Sequence, residues 1–186
     1  MLRLLKLFLL SALLFSTSAL PIDLPVEIKG FTSRGMKPIV LKTADLNGDG
    51  LNDYLLILED ADGNRLLRIL TKQIDGKFLL AKQSANAIMC RSCGGVLGDP
   101  FLDMHAKARS FTINHAGGSA DRWSSSFTFN YSRRDDTWQL VLAEERSYSS
   151  TAANRANVQR YVPPKDFGKI AIEEFDPENY LGQGQH

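Results

Sequence analysis

The sequence predicts a mainly β protein, either an antiparallel sandwich or a strongly twisted open sheet of about eight strands. Apolar and polar residues alternate at 111–114, 127–131 and 138–142. Short strand-like segments are separated by glycine-containing turns, and helical periodicity is weak from residue 20 onward. Alternation with a period of two places one strand face in a core and the other in water, and many short strands between turns are typical of antiparallel β proteins.

The first half of the chain is predicted to form a meander of short strands. The strand-like segments are residues 26–28, 38–41, 54–58, 65–72 and 77–83. Asp62-Gly63-Asn64 and Asp75-Gly76 separate the last three segments, and both have the composition of metal-free hairpin turns. Residues 45–53, between the second and third segments, form a candidate calcium loop.

The second half begins with a glycine-rich stretch and continues as strands. Gly94-Gly95 and Gly98-Asp99-Pro100 predict a long loop after Cys93. A turn at 133–136 joins two of the alternating strands. Residues 149–160 are polar and compatible with a short helix or a loop, and residues 170–172 predict an edge strand.

Length and composition indicate one globular domain. The chain has 186 residues, of which 44% are hydrophobic, and this is enough apolar material for a real core. Its formal net charge is +1. A nucleic-acid partner usually demands a basic stripe, so nucleic acid is not predicted as a partner.

The N-terminus has the three-part plan of a secretory signal peptide. Arg3 and Lys6 precede the apolar run 7–14, and small residues follow at 16–19. We expect cleavage after residue 19, a single β domain at 20–180 and a flexible tail at 181–186. An uncleaved membrane anchor is the alternative, although the apolar run is shorter than the roughly 20 residues of a spanning helix. The predicted location is periplasmic or secreted, with no stable membrane insertion after cleavage.

Residues 45–53, Asp-Leu-Asn-Gly-Asp-Gly-Leu-Asn-Asp, are the most informative motif. Oxygen-bearing side chains occupy alternate positions, and Gly50 can adopt the positive φ of a sharp turn. Calcium takes about six to eight oxygen ligands, whereas zinc favours the His and Cys that this loop lacks. We therefore predict a Ca²⁺ site formed by the side-chain oxygens of Asp45, Asn47, Asp49 and Asp53 and by the carbonyl of Leu51.

The motif departs from an EF-hand, because position twelve is Leu56 rather than Glu and residues 54–58 are strand-like. The pattern D-x-N-x-D-G-x-x-D followed directly by an apolar strand resembles the calcium loops of FG-GAP repeats in integrin-type β-propellers and of related VCBS-like repeats in bacterial exported proteins. The resemblance covers residues 38–60 and implies that the loop links neighbouring strands. One good copy is found, and a closed propeller needs several blades, so a full propeller is not predicted. The alternative is an ordinary polar turn, since Asp, Asn and Gly are common turn residues.

Cys90 and Cys93 are the two cysteines of the chain, in a C-x-x-C spacing. Disulfides persist in an exported protein, so the favoured prediction is a structural disulfide that shapes the glycine-rich loop. A redox pair and a metal site are the alternatives. A redox pair of the thioredoxin type would need a helix to begin at the first Cys, and Gly94-Gly95 disfavour that start.

A second candidate site lies between the two clear strands. The Gly-Gly pair allows a ligand to approach the backbone, and its neighbours offer hydrogen-bond donors and a flat apolar surface. The candidate ligand-binding residues are His115, Gly117, Gly118, Ser119, Arg122 and Trp123. Residues 90–101 have the pattern C-x-x-C-G-G-x-x-G-D-P-F, and residues 115–123 have the pattern H-x-G-G-S-x-x-R-W. Together, over residues 90–148, they resemble a group of bacterial exported proteins of unassigned activity. The alternative is a long hairpin loop with Trp123 in the core.

These observations predict an exported calcium-binding β protein that acts as a binding or interaction module, with the ion in a structural role. The expected partner is another protein or a cell-envelope component. A secreted hydrolase that uses the glycine-rich loops around His115 is one alternative, and a protein inhibitor or immunity-type partner is another. The chain has neither a G-x-S-x-G nor an H-E-x-x-H motif, so enzyme activity is not favoured.

Overall fold

The computed structural model describes residues 22–151 and 155–182. The predicted signal peptide at 1–19 and residues 183–186 of the predicted tail lie outside the described residues. The described chain forms two antiparallel sheets of four and five strands, which confirms the prediction of a mainly β fold. No helix in these two ranges has the length and apolar character needed to cross a membrane.

Both sheets are meanders in which each strand pairs with the next strand of the chain. The first sheet contains β1 (Lys37–Ala44), β2 (Asp53–Glu59), β3 (Arg65–Lys72) and β4 (Phe78–Ser84). The second contains β5 (Phe101–Lys107), β6 (Ser110–Gly118), β7 (Asp121–Ser132), β8 (Thr137–Ser149) and β9 (Asn157–Tyr161). Two 3₁₀ helices, Val26–Phe31 and Gly95–Leu97, accompany the sheets.

The two predicted hairpin turns of the first sheet are confirmed. One turn joins β2 to β3 and contains Gly63, and the other joins β3 to β4 and contains Gly76. Both glycines have φ values in the left-handed region, +87° and +83°. An L-residue with a Cβ adopts this conformation at a cost, which explains glycine at these two positions.

The two sheets pack face to face against one shared core. The predicted alternation of apolar and polar residues is found in β6, β7 and β8. Alternate side chains of these strands face this core, and the side chains between them face the outer side of the second sheet. The main contributors are Leu55, Ile57, Leu67 and Ile69 from the first sheet and Phe111, Ile113, Phe127, Phe129, Trp138 and Leu140 from the second.

The outer face of the first sheet is covered by the N-terminal segment. Leu56 and Leu58 of β2 point to this face and pack with Ile28 of the first 3₁₀ helix. Burial on both faces explains the uninterrupted apolar run of β2. The prediction of a strand at 26–28 is wrong, because Pro25, which fixes its own φ and has no N–H, begins a 3₁₀ turn in which its carbonyl accepts the Ile28 N–H at 3.0 Å.

Two further predictions near the C-terminus are wrong. Residues 157–161 form the edge strand β9, which pairs with β8, where a short helix or a loop was predicted. Residues 170–172 make one isolated bridge, between Ala171 and Gln139, where an edge strand was predicted. Ile170 and Ile172 are both buried in the shared core, so their apolar character reflects burial rather than strand formation.

The second sheet is longer than the first. β7 and β8 have 12 and 13 residues, while the strands of the first sheet have seven or eight. This difference amounts to roughly 15 Å of strand length. The core residues of these two strands, Phe127, Phe129, Trp138, Leu140 and Ala143, lie toward one end of the pair, so the surplus length lies toward Asp121 and Ser149. The inner face of the second sheet therefore continues past its partner at that end.

Candidate functional site

The 45–53 loop connects β1 to β2 and curls around one carboxylate. Asp45 accepts hydrogen bonds from the backbone N–H groups of Gly48 (2.7 Å), Asp49 (3.1 Å) and Gly50 (3.0 Å). Gly48 and Gly50 have φ values of +78° and +88°, which favour glycine. The Asp49 carboxylate in turn accepts the Leu51 N–H at 2.8 Å. The loop conformation therefore depends on the alternation of polar residues and glycines that the sequence displays.

Asp53 ties the loop to the first sheet. Its side chain is fully buried, and its two carboxylate oxygens accept the Leu46 N–H at 2.8 Å and the Lys72 N–H at 2.9 Å. Burial raises the pKa of this carboxyl above its ordinary value, and the nearby negative charge of Asp49 raises it further. The carboxylate thus links the loop with the end of β3.

The loop also contacts the second sheet through its backbone carbonyls. The Asp45 carbonyl accepts the Arg109 N–H at 2.8 Å, and the Leu46 carbonyl accepts the Trp138 indole N–H at 2.9 Å. Both groups come from the second sheet or its turns, whereas the loop belongs to the first. The 45–53 loop is therefore a junction between the two sheets, a role that its sequence alone did not indicate.

The predicted calcium ligands fit a hard cation by donor type. They offer carboxylate, amide and carbonyl oxygens. A carboxylate oxygen that accepts one N–H retains a second lone pair, whereas Asp45 Oδ1 already accepts two N–H groups. Their present arrangement is closed by internal hydrogen bonds, including one from the Asn47 amide nitrogen to Asp49 at 2.8 Å. Within the described ranges, no three His, Cys, Asp or Glu side chains are grouped as a metal site requires. Ion binding would therefore have to turn the Asn47 amide and redirect carboxylate lone pairs toward a common centre.

Cys90 and Cys93 form a disulfide, with an S–S distance of 2.10 Å, and this confirms the pairing predicted from their spacing. The bridge lies just before the loop that contains the second 3₁₀ helix. Gly94 in that loop accepts a hydrogen bond from the Gly118 N–H at 3.1 Å. The disulfide turn is thereby attached to the end of β6.

His115 is fully buried within the second sheet. Its ring lies between Phe101 and Phe127, with centroid separations of 6.2 Å to each. Nε2 accepts a long hydrogen bond from the Met89 N–H at 3.4 Å, and Nδ1 has no partner within the described residues. Burial, reinforced by the positive charge of Arg65, lowers the pKa of His115 to about 4. A general base must reach a substrate proton, so this burial disfavours the hydrolase alternative.

The glycine pair serves close packing within the protein. A Cβ on Gly117 would lie 2.5 Å from the Trp123 ring and 2.9 Å from the Gly94 carbonyl oxygen. A Cβ on Gly118, whose φ is +105°, would lie 2.2 Å from the Asp121 carbonyl oxygen. These glycines allow a ring and two backbone segments to approach β6, where the sequence suggested the approach of a ligand.

Ser119 and Arg122 lie in and beside the turn between β6 and β7. The Ser119 N–H donates to the Asp121 carbonyl at 2.9 Å, and Arg122 pairs with Gly118 across the strands. Of the predicted ligand-binding set, Trp123 lines a cavity at this end of the molecule.

That cavity has a volume of about 450 Å³ and opens where the second sheet projects beyond the first. We call it the end cavity. Its floor consists of two cross-strand rows, Trp123–Ser147–Asn157 and Ser125–Glu145–Gln159. Cys93 lines it from the disulfide turn, and Pro177 lines it from the C-terminal segment. Its volume falls within the range of small-molecule sites, about 300–1,000 Å³.

The end cavity is a continuation of the core face. The next row along the same three strands is Phe127–Ala143–Tyr161, which packs in the shared core. Residues two positions apart share a strand face, so the polar rows of the end cavity begin where the first sheet no longer covers the second. Sequence reasoning missed Ser147, Asn157 and Gln159, because strand register is not visible in composition or spacing.

Comparisons of the chain with protein-family models, with curated proteins and with solved structures found no match. The resemblance of residues 38–60 to FG-GAP and VCBS-like repeats therefore stays a prediction, as does export of the chain. The geometry of the 45–53 loop and of the end cavity is the basis for any functional proposal.

Proposed function

We propose that the protein is an exported binding module in which a calcium ion at the 45–53 loop stabilises the junction of the two sheets. The observation that carries this proposal is the position of the loop. Its Asp53 carboxylate bonds to β3, while its Leu46 carbonyl bonds to Trp138 of β8. An ion bound in this loop would therefore hold groups that are hydrogen-bonded to both sheets.

The ion would be held by oxygens alone. Asp45, Asn47, Asp49 and Asp53 would contribute side-chain oxygens, and Leu51 would contribute its carbonyl. A bound calcium ion supplies positive charge that offsets the mutual repulsion of three carboxylates and the burial of one of them. The role proposed for the ion is structural, and the binding partner is another protein or a cell-envelope component.

The predicted export of the chain would suit a weak calcium site. Extracellular calcium modules have dissociation constants of about 10⁻⁴–10⁻³ M, and the absence of a Glu at position twelve of the loop suits that range. Ligand binding to the folded state alone stabilises it by mass action. At a calcium concentration of 100 times Kd the gain is about 2.7 kcal/mol, and at ten times Kd about 1.4 kcal/mol.

Calorimetric titration with calcium tests the proposal. The matched variants are Asp49→Ala and Asp75→Ala. Both residues accept a backbone N–H two positions ahead, from Leu51 at 2.8 Å and from Lys77 at 3.0 Å, so both variants lose a hydrogen bond of this kind. Asp49→Ala also loses the bond from the Asn47 amide. We expect a binding heat for the wild type and for Asp75→Ala, and none for Asp49→Ala.

Two results would overturn the calcium proposal. One is a wild-type protein that gives no binding heat and no shift in unfolding temperature at millimolar calcium. The other is an Asp49→Ala variant that binds calcium as tightly as the wild type. Magnesium provides a control ion, because its demand for a small octahedral shell makes a loop of this length a poorer site.

A further inference from the structure

We propose that the end cavity binds a neutral oligosaccharide. The proposal rests on the binding-module part of the proposed function and is independent of the calcium part. β7 runs from Asp121 beside the end cavity to Ser132, and its following turn reaches the 45–53 loop through Arg133 and Gly48, 3.4 Å apart. The two sites therefore lie at opposite ends of one strand of 12 residues.

The floor of the end cavity presents groups that both donate and accept hydrogen bonds. Ser125 and Ser147 carry hydroxyls, and Asn157 and Gln159 carry amides. Each of these groups can pair with a ligand hydroxyl in either direction. A sugar ring presents several hydroxyls around its edge, and two rows of such groups on adjacent strands match this distribution.

Trp123 provides the apolar surface that a sugar also needs. A pyranose ring has faces composed largely of C–H groups, which pack against a flat aromatic ring, while the indole N–H remains available as a donor. The ring is held in place from behind, because Gly117 leaves room for it against β6. An indole fixed in this way needs little reorganisation to receive a ligand.

Charge disfavours an anionic ligand. Glu145 and Glu178 line the end cavity together with Arg146, so acidic groups outnumber basic ones there. Phosphate recognition usually relies on arginine pairs or a helix N-terminus. The Glu145 carboxylate is fixed by the Tyr180 hydroxyl at 2.9 Å, and it keeps lone pairs for a sugar hydroxyl.

Backbone pairing disfavours an extended peptide. A peptide that adds to a sheet needs an edge strand with free N–H and C=O groups. β7 and β8, which form most of the floor, are paired on both sides, so β9 is the one floor strand with an open edge for a peptide to pair with. A ligand that lies on the floor itself is recognised by side chains that project from the sheet, as a sugar would be.

The test is calorimetric titration of the wild-type protein with cellotetraose, maltotetraose and the tetramer of N-acetylglucosamine. Saturable binding of at least one of these is expected. Trp123→Ala should weaken it about tenfold or more, as the loss of a central aromatic contact does. Gln159→Ala on the exposed edge strand should weaken it about three- to tenfold, as the loss of one hydrogen bond does. Ile74→Ala, at a fully exposed position in the turn between β3 and β4, is the control and should leave affinity unchanged.

The proposal is overturned if none of the three tetrasaccharides binds, or if binding is unaffected by Gln159→Ala and by a folded Trp123→Ala variant. It is also overturned if inorganic phosphate or tetra-alanine binds in a Gln159-dependent manner in place of the sugars. Each titration is repeated with calcium and with EGTA. Sugar binding with calcium and with EGTA supports the sugar proposal even if the protein binds no calcium. Calcium binding without sugar binding overturns the sugar proposal and leaves the calcium proposal standing.

Discussion

Acidification should destabilise the protein through His115. The side chain is fully buried, and its pKa falls from an ordinary value of 6.5 to about 4 in the folded state. Between these two pH values the unfolded chain therefore binds a proton at His115 that the folded chain does not bind. The stability that the folded protein gains from a neutral His115 is complete above about pH 6.5 and is lost as the pH falls toward 4. One pKa unit corresponds to about 1.4 kcal/mol, so the loss is about 2 kcal/mol at pH 5 and about 3 kcal/mol below pH 4.

Urea denaturation at several pH values between about 7 and 5 measures this loss. Asp99 and Glu173, whose pKa values are lowered, lose their contributions near and below their ordinary values of 3.8 and 4.5, so they contribute little in this window. The raised pKa of Asp53 acts in the opposite direction, because this carboxyl takes up a proton on folding and so adds stability as the pH falls. In His115→Phe the decline between pH 6.5 and 5 should disappear. The exposed His105, which lies 3.1 Å from Asp103, provides the control variant His105→Gln, in which the decline should persist. An equal decline in His115→Phe and the wild type would refute the reasoning.

Three further variants test the packing described above. Gly117→Ala should cost about 2 kcal/mol of unfolding free energy, because its Cβ would meet the Trp123 ring at 2.5 Å; a neutral effect in thermal unfolding would contradict this. Glu59→Gln should cost about 3 kcal/mol in urea denaturation, because it weakens the buried pair with Arg65, 2.8 Å away; a loss below about 0.5 kcal/mol would argue against it. Replacing both cysteines by serine should cost less than about 2 kcal/mol, because the closed loop is short; global unfolding of that variant would disprove the estimate.

The strands of the second sheet could be predicted because their side chains alternate between core and solvent. Phe111 and Ile113 of β6 and Phe127 and Phe129 of β7 lie in the core as their spacing predicts. The hairpin turns were equally visible, because glycine is required at specific φ values. β9 was not predicted, because its polar and exposed residues become a strand through pairing with β8 rather than through their own pattern.

The buried charges of the first sheet show a second limit of sequence reasoning. Arg65 and Glu59 are charged residues at strand ends, where exposure is the ordinary expectation. Their side chains are nevertheless 2% and 4% exposed, because they pair with each other and Arg65 also pairs with Asp99. That third residue lies 34 positions further along the chain. Such a network depends on tertiary contacts that no local pattern contains.

Of the two candidate sites, the 45–53 loop could be predicted from local sequence and the end cavity could not. The ligand types of the 45–53 loop follow from its local spacing, since neighbouring residues curl around Asp45. The end cavity depends on the register of three strands, and Trp123 was the part of it that composition could indicate. The two glycines were predicted to let a ligand approach the backbone. In the structure the groups that approach them are the Trp123 ring and the backbone at Gly94 and Asp121.

Hydrogen exchange of single amides, with calcium and with EGTA, tests most directly the claim that an ion at the 45–53 loop stabilises both sheets. The diagnostic amides are Lys72, which donates to Asp53 in the first sheet, and Arg109, which donates to the Asp45 carbonyl from the second. Calcium should slow exchange at both amides in the wild type and in Asp75→Ala, and at neither in Asp49→Ala. Protection that calcium leaves unchanged, or that it raises within residues 45–53 alone, would contradict the account.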